Sequence, residues 1–329
     1  MQREPEFADN ALLEGVLRGD RRALAKTITL LESSRADHRE RAQRLLGQLL
    51  PHSGRAIRVG ISGVPGVGKS TFIEALGLHL IGKGHRVAVL AVDPSSSLSG
   101  GSILGDKTRM ERLSQNLAAF IRPSPTSGSL GGVAAMTREA MLVCEAAGFD
   151  VVIVETVGVG QSETAVAGMV DAFVLMLLPN AGDELQAIKR GIMELADLLV
   201  INKADSDAHA TARTRSQVRS ALALLHPASA RWQPTVHSVS ALKDEGIAEF
   251  WGEVERFRQI MAGSGEFDAK RHRQALAWMA ALIDAGLHQR FREHPRVRAE
   301  LEATRRAVEA GTETPAAAAR RLLSYLHEG

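Results

Sequence analysis

"GISGVPGVGKSTFIEAL", residues 60–76, decides the fold. An apolar run at 57–61 leads into it and a helical pattern leads out, so glycines and a proline crowd one lysine at a strand-to-helix junction. Gly63, Gly68, Lys69 and Ser70 fit the spacing G-x-x-x-x-G-K-[ST] of a phosphate-binding loop. Glycine lets the backbone turn tightly without a side chain in the way of a phosphate. Successive N–H groups of the loop, here Gly63, Val64, Pro65 (which lacks one), Gly66, Val67, Gly68 and Lys69, then converge on an anion. The helix opening at Lys69, with Ser70 and Thr71 in its first turn, adds the positive end of its dipole. In this motif Lys69 reaches the β- and γ-phosphates and the Ser70 hydroxyl is a ligand for Mg²⁺.

Outward from the loop, short apolar runs alternate with helical patterns. The runs are IRVGIS, RVAVLAVD, AFIRP, DVVIVE, AFVLMLLP, DLLVIN and TVHSVS. Several are nearly continuous in Val, Ile and Leu, as strands buried on both faces are. The alternation predicts an α/β fold, a P-loop NTPase with a mainly parallel sheet between helices. Helical patterns flank it on both sides, predicting an N-terminal helical extension at 1–54, a nucleotide-binding domain at 55–263 and a C-terminal helical arm at 264–329. Pro295 and Pro315 mark helix starts in that arm.

Composition narrows the function. The chain has 329 residues, 45% hydrophobic and 24% charged, with a formal net charge of +2. So small a charge argues against nucleic acid or an anionic membrane as partner. Aromatics at 4% leave no base-stacking platform. Cys144 is the one cysteine, which excludes an internal disulfide and a multi-cysteine zinc site. No apolar run is long enough to span a bilayer, and the start shows no secretory or transit pattern, so a cytoplasmic protein is expected.

The base is read from Asn202-Lys203-Ala204-Asp205, an N-K-x-D pattern closing an apolar run. An aspartate there can accept from guanine N1–H and the 2-amino group. Adenine lacks that donor pair and would leave the carboxylate unpaired. Lys203 would pack along the base and Asn202 would brace the loops; the alternative is a strand-to-helix turn capped by Asp205. Ser240, Ala241 and Leu242 resemble the S-A-[KL] loop of GTPases, whose N–H groups meet guanine O6.

Glu155 ends the run VVIVE and is followed by Gly158, filling the place of a D-x-x-G motif with Glu for Asp. A carboxylate there can hold Mg²⁺ through water, and the Gly158 N–H can sense the γ-phosphate. Asp93 and Asp106 compete for the same metal, each equally readable as a cap or turn residue. Lys69, Asp106 and Glu155 are thus the catalytic candidates, and Ser70, Asp93, Asp106 and Glu155 the metal candidates. Val159 stands where Ras-like proteins carry the water-orienting Gln, and Gln161 comes two later, so slow intrinsic hydrolysis, accelerated by a partner or by dimer contacts, is expected.

Together GVPGVGKST, AVDPSS, GDKTRM, VETVGVGQSE, LPNAGDELQAIKRGIMELAD and NKAD closely resemble the MeaB family, which includes the ArgK and methylmalonic aciduria type A proteins among the metallochaperone-type P-loop GTPases. The resemblance implies a homodimeric GTPase that takes GTP and GDP with Mg²⁺. It implies a partner, adenosylcobalamin-dependent methylmalonyl-CoA mutase, whose cofactor delivery the GTPase gates and whose activity it protects. By the same resemblance a cobalamin adenosyltransferase is a further partner. Residues 179–190, with Asp183, Gln186 and Lys189, look like the family's extra switch; on residues alone they read equally as a loop and helix start. Leu276, Met279, Ala280, Ile283 and Leu287 form a stripe at helical spacing, suited either to a dimer or to packing on the chain's own nucleotide domain. A nucleotide-dependent kinase and a nickel-insertion GTPase are the alternatives. The kinase would need an acceptor pocket and base that no motif specifies; the nickel protein would need ligands that the 11 histidines do not group to supply.

Overall fold

The computed structural model describes residues 3–33, 35–92, 110–123, 130–156, 162–180, 190–225, 229 and 231–327. The chain forms two compact units, Met1–His272 and Arg273–Gly329.

The first unit is built on a seven-stranded sheet, each of the expected apolar runs supplying one strand: β1 (Ile57–Gly63), β2 (Val87–Val92), β3 (Ala119–Arg122), β4 (Val151–Thr156), β5 (Ala172–Leu177), β6 (Leu198–Ile201) and β7 (Thr235–Ser238). The strand order is β3-β2-β4-β1-β5-β6-β7, and every pairing is parallel. A parallel pair needs a crossover, and helices supply it, which is why the strands alternate with helical segments along the chain. The chain is therefore an α/β protein with the P-loop NTPase fold.

Because the crossovers cover both faces, alternate residues of each strand enter two separate cores. On one face lie Val152 and Val154 of β4, Phe173 and Leu175 of β5 and Leu199 of β6. On the other lie Val151, Ile153, Ala172, Val174, Leu198 and Val200. The second face is covered by α4 (Lys69–Gly82), through Phe72, Ile73 and Leu76, and by the helix Ile247–Gly263, through Phe250, Trp251 and Val254. Phe72 and Phe250 meet edge to face with centroids 5.1 Å apart, the favoured geometry for two quadrupolar rings.

The first face is covered by the helix Leu130–Ala146 and, outside it, by α1 (Arg3–Leu17), α2 (Arg21–Leu31) and α3 (Ala36–Leu49). Leu24, Ile28, Ala42, Leu46 and Leu49 share one apolar core with Val143 and Cys144. The Asp20 carboxylate caps α2 by accepting from the N–H groups of Arg22 (2.7 Å) and Ala23 (2.9 Å). Those two bonds hold its pKa below the ordinary carboxylate value. Cys144 is fully buried, and burial raises its thiol pKa far above the usual value.

The N-terminal edge of the sheet is held by a buried ionic network. Asp171, which precedes β5, accepts both arms of the Arg271 guanidinium at 2.7 and 2.6 Å and the backbone N–H of Arg58 at 2.8 Å. Arg271 also donates to the carbonyls of Gly54 (2.5 Å) and Ala56 (2.6 Å) in the segment before β1. Lys270 donates to Asp171 O at 2.6 Å and reaches Asp197 at 3.3 Å, and Arg58 pairs with Glu145 at 2.6 Å. Burial raises the pKa of Asp197 against the opposing pull of Lys270.

The second unit contains the rest of the long helix Glu266–Glu293 and the helices Pro295–Glu309 and Pro315–Ser324, whose first residues are the two prolines. Val297, Leu322 and Tyr325 form its small core. Arg321 clasps the last helix by pairing with Glu300 (2.6 Å) and Glu313 (2.9 Å). Leu276, Met279, Ala280, Ile283 and Leu287 are exposed.

Asp171→Ala removes the acceptor shared by Arg271 and Arg58 and strands a buried guanidinium. The unfolding free energy should fall by about 3–5 kcal/mol. Urea melts of the two proteins with coincident midpoints would refute this account of the network.

Candidate functional site

All seven strands run in one direction, so the loops that follow them emerge along one edge. The phosphate-loop candidates follow β1, Glu155 lies at the end of β4, Asn202–Asp205 follow β6, and Ser240–Leu242 follow β7. In an open parallel sheet this carboxyl edge is where ligands bind, near the point where the strand order reverses. Here β1 lies in mid-sheet, between β4 and β5.

The loop geometry requires its glycines. Gly66 and Gly68 have φ of 81° and 92°, in the left-handed region that costs other residues energy. A Cβ on Gly68 would also lie 2.6 Å from Asn202 Nδ2, and one on Gly63 would lie 2.6 Å from the Met176 carbonyl. The turn they form leads into α4 with Gly68 as N-cap, leaving the helix's first N–H groups for an anion. Lys69 is buried, and its ammonium donates to the carbonyls of Gly63 (2.7 Å) and Val64 (3.3 Å), which hold it at the mouth of the loop. The Ser70 hydroxyl lies 3.3 Å from a carboxylate oxygen of Glu155. Glu155 is itself buried, registered between Ile61 of β1 and Ala91 of β2. A hydroxyl beside a carboxylate is a pair of hard oxygen donors of the kind Mg²⁺ prefers.

Asn202 joins the two halves of the site. Its side-chain NH₂ donates to the Val67 carbonyl at 2.8 Å, and its carbonyl accepts the Ala241 N–H at 3.2 Å. The amide is buried, so both bonds are made away from competing water. Lys203 adopts φ of 59°, and its ammonium donates to the Gly66 carbonyl at 2.9 Å. Its role thus includes a tie back to the phosphate loop, beyond the packing along a base that the motif suggests. Asp205 faces Lys243 at 3.3 Å. Its pKa is held below the ordinary carboxylate value, first by the neighbouring Ser240 hydroxyl and then by Lys243. It is therefore an ionised acceptor at neutral pH. Ser240 and Ala241 are buried, while Leu242 is 82% exposed.

The structure therefore brings Gly63, Val64, Pro65, Gly66, Val67, Gly68, Lys69, Ser70, Thr71, Glu155, Asn202, Lys203, Asp205, Ser240, Ala241 and Leu242 to one edge. Asp93, Asp106, Gly158, Asp183, Gln186 and Lys189 lie outside the described residues. Among the described residues no cluster of three or more His, Cys, Asp or Glu side chains could hold a metal ion. Two supporting contacts escape the motifs. Thr156 donates to the Ser62 hydroxyl at 2.9 Å beneath the loop, and Lys243 offers Asp205 a cation. The first has no sequence signal. The second sits in "SALK", next to the predicted loop.

A family model described as "Methylmalonyl Co-A mutase-associated GTPase MeaB" matches residues 24–296. The chain belongs to the MeaB family. It is 56% identical to a probable GTPase of Mycobacterium tuberculosis over 315 residues, covering 95% of this chain and 94% of that one. It is 49% identical to the mitochondrial methylmalonic aciduria type A homolog of Mus musculus, covering 98% of this chain and 80% of that protein. The GTPase ArgK of Escherichia coli is 51% identical over 262 residues, 79% of each chain. Among solved structures, one titled a LAO/AO transport system kinase superposes with a TM-score of 0.78 at 38% identity, over 98% of both chains. The chain is a GTPase of the MeaB family, and guanine nucleotide binding comes with that membership. No helix among the described residues is long and apolar enough to cross a membrane.

Replacing Asn202 with Ala strands the Val67 carbonyl and the Ala241 N–H together. Each buried group left unmade costs about 1–3 kcal/mol. GDP affinity, read by titration with a fluorescent analogue, should drop at least tenfold. Unchanged affinity would mean that the two loops hold their positions without the amide.

Proposed function

We propose that this chain hydrolyses GTP to GDP and phosphate at the carboxyl edge of the sheet, and that it uses the nucleotide cycle to serve an adenosylcobalamin-dependent methylmalonyl-CoA mutase. The observation that supports the nucleotide part is the Asn202 bridge, which joins the loop after β1, read as the phosphate loop, to the loop after β7, read as the base loop. In this reading the N–H groups of residues 63–70 other than Pro65, together with the Lys69 ammonium, take the β- and γ-phosphates. Asp205 accepts from guanine N1–H and the 2-amino group, and the Lys203 stem lies along the base. In the loop Ser240 to Leu242 the Ser240 and Ala241 N–H groups are taken by Glu245 and Asn202, which leaves the Leu242 N–H to turn toward O6.

Ser70 and Glu155 would hold Mg²⁺, Glu155 through water, with Asp93 and Asp106 as further acids. When bound, the ion would neutralise charge building on the phosphate oxygens. Gly158 would sense the γ-phosphate, and Lys69, Asp106 and Glu155 would be the groups nearest the reacting centre. With Val159 where a water-orienting Gln could stand, hydrolysis by the lone chain is slow and a partner accelerates it. Asp183, Gln186 and Lys189 form the coupling switch. The chain divides functionally into residues 1–54, 55–263 and 264–329, with the exposed Leu276, Met279, Ile283 and Leu287 stripe as the homodimer surface.

The mutase assignment rests on the family description and on the methylmalonic aciduria names of the relatives. A cobalamin adenosyltransferase would donate the cofactor whose transfer the GTPase gates, and the setting is cytoplasmic. The kinase title of the solved relative points to phosphate transfer to an acceptor instead. γ-Labelled GTP that yields labelled inorganic phosphate alone excludes that for this chain.

Base choice is tested by Asp205→Asn. The amide replaces one acceptor with a donor, so GTP affinity should fall at least a hundredfold while XTP, which carries a carbonyl in place of the 2-amino group, gains. Undiminished GTP preference in competition binding would remove Asp205 from the site.

The chaperone part is tested with purified mutase and light scattering. The chain should run at twice its monomer mass, and mutase should raise GTP turnover at least tenfold, with Lys189→Ala losing the stimulation but keeping basal binding. No stimulation by mutase would overturn the partnership while leaving the GTPase assignment intact.

A further inference from the structure

Among the described residues the sheet ends at β7, whose outer side has no strand beside it. Val239 donates its N–H to Ile201 of β6. By the alternation of a parallel strand, Val236 turns its N–H and carbonyl the other way, outward. Outside the β6–β7 ladder, no backbone bond to Val236 is found among the described residues. An open edge of this kind is a template for an added strand.

The edge lies in a hollow of about 550 Å³ with walls of opposite charge. Arg215 and Arg219, from the helix Ala208–Ala223, line one wall, and Glu249 and Glu253, from the helix Ile247–Gly263, line the other. The arginine wall continues into a second hollow with Ser216 and Ser220. The walls match the two faces of β7: Val236 packs in the core with Val218 of the arginine helix, while the His237 ring meets Phe250 of the glutamate helix edge-on. Arg215, Arg219 and Glu249 make no ion pair among the described residues, and Glu253 pairs with Arg256 at 3.0 Å.

The spacings agree as well. Residues four apart on a helix are separated by about 6 Å along its axis. Residues two apart on a strand are separated by about 6.6 Å. A strand laid on β7 would therefore place alternate side chains opposite Arg215 and Arg219 on one face and opposite Glu249 and Glu253 on the other.

We propose that the β7 edge is a docking site for an extended segment of a partner protein whose acidic and basic residues alternate, bound as an eighth strand. Main-chain bonds to Val236 hold the segment. Its acids face Arg215 and Arg219, and its bases face Glu249 and Glu253. Charge placement on both walls sets which segments fit, as complementarity does at other interfaces.

The probe is a synthetic octapeptide of alternating glutamate and lysine with blocked ends. Its control has the same composition with the glutamates and lysines in two blocks. The alternating peptide should bind the full chain at least tenfold more tightly than the block peptide, and should slow hydrogen exchange at the Val236 amide at least tenfold at saturation. The double variant Arg215→Glu, Arg219→Glu should lose at least tenfold in affinity for the alternating peptide while its GDP affinity, read as a folding control, stays unchanged. Glu249→Lys, on the opposite wall, should weaken binding too and decides the matter if the double variant fails to fold. Equal binding of the two peptides, no binding of either, or unchanged exchange at Val236 on binding would each overturn the proposal.

Discussion

One buried amide organises the nucleotide edge. Asn202 gives its NH₂ to the loop after β1 and takes the Ala241 N–H from the loop after β7, so three segments distant in sequence share one side chain. A side-chain amide can do this because it is donor and acceptor at once, with no charge to desolvate. Close approach is the condition: Gly68 must lack a Cβ for the amide to lie where it does. The loop after β1 is therefore shaped from two sides, by its own backbone preferences and by a residue of the Asn202–Asp205 segment after β6.

The opposite edge of the sheet solves a different problem. There the chain must hold the segment before β1 and the start of the long C-terminal helix against strand ends whose backbone groups would otherwise be left open. It does so with ions in addition to the apolar packing of Ala56 and Phe267. Asp171 and Arg271 satisfy one another in two parallel bonds, and the spare donors of the guanidinium go to main-chain carbonyls. An ion pair buried this way contributes little over a hydrophobic alternative, but it tolerates no missing member.

The sheet was legible because strands buried on both faces are nearly continuous in apolar residues, as RVAVLAVD, DVVIVE, AFVLMLLP and DLLVIN are; TVHSVS, at the half-buried edge, was placed by its spacing in the alternation instead. The site was legible because parallel strands put all their following loops at one edge, so motifs scattered from residue 63 to 242 had to converge. What could not be read was pairing between distant polar residues. Nothing around Arg271 announces Asp171, one hundred residues earlier, and nothing around Thr156 announces Ser62. Such partners are chosen by the fold's geometry, and a single sequence records only that the residues are polar. The attachment of α1 to α3 was hidden for a similar reason: an amphipathic stripe shows that a helix has a covered side without saying what covers it.

That attachment has a temporal side. The helices α1, α2 and α3 leave the ribosome before the strands of this sheet, yet Leu24, Ile28, Leu46 and Leu49 share their apolar core with the helix 130–146. During synthesis the early helices can bury these residues only against one another, until three of the seven strands and the helix 130–146 have followed. Nascent chains with apolar surface waiting in this way are the ones that holdase chaperones recognise. A slow stretch of translation between residues 50 and 130 would lengthen the wait, and its cost would appear as lost yield rather than lost activity.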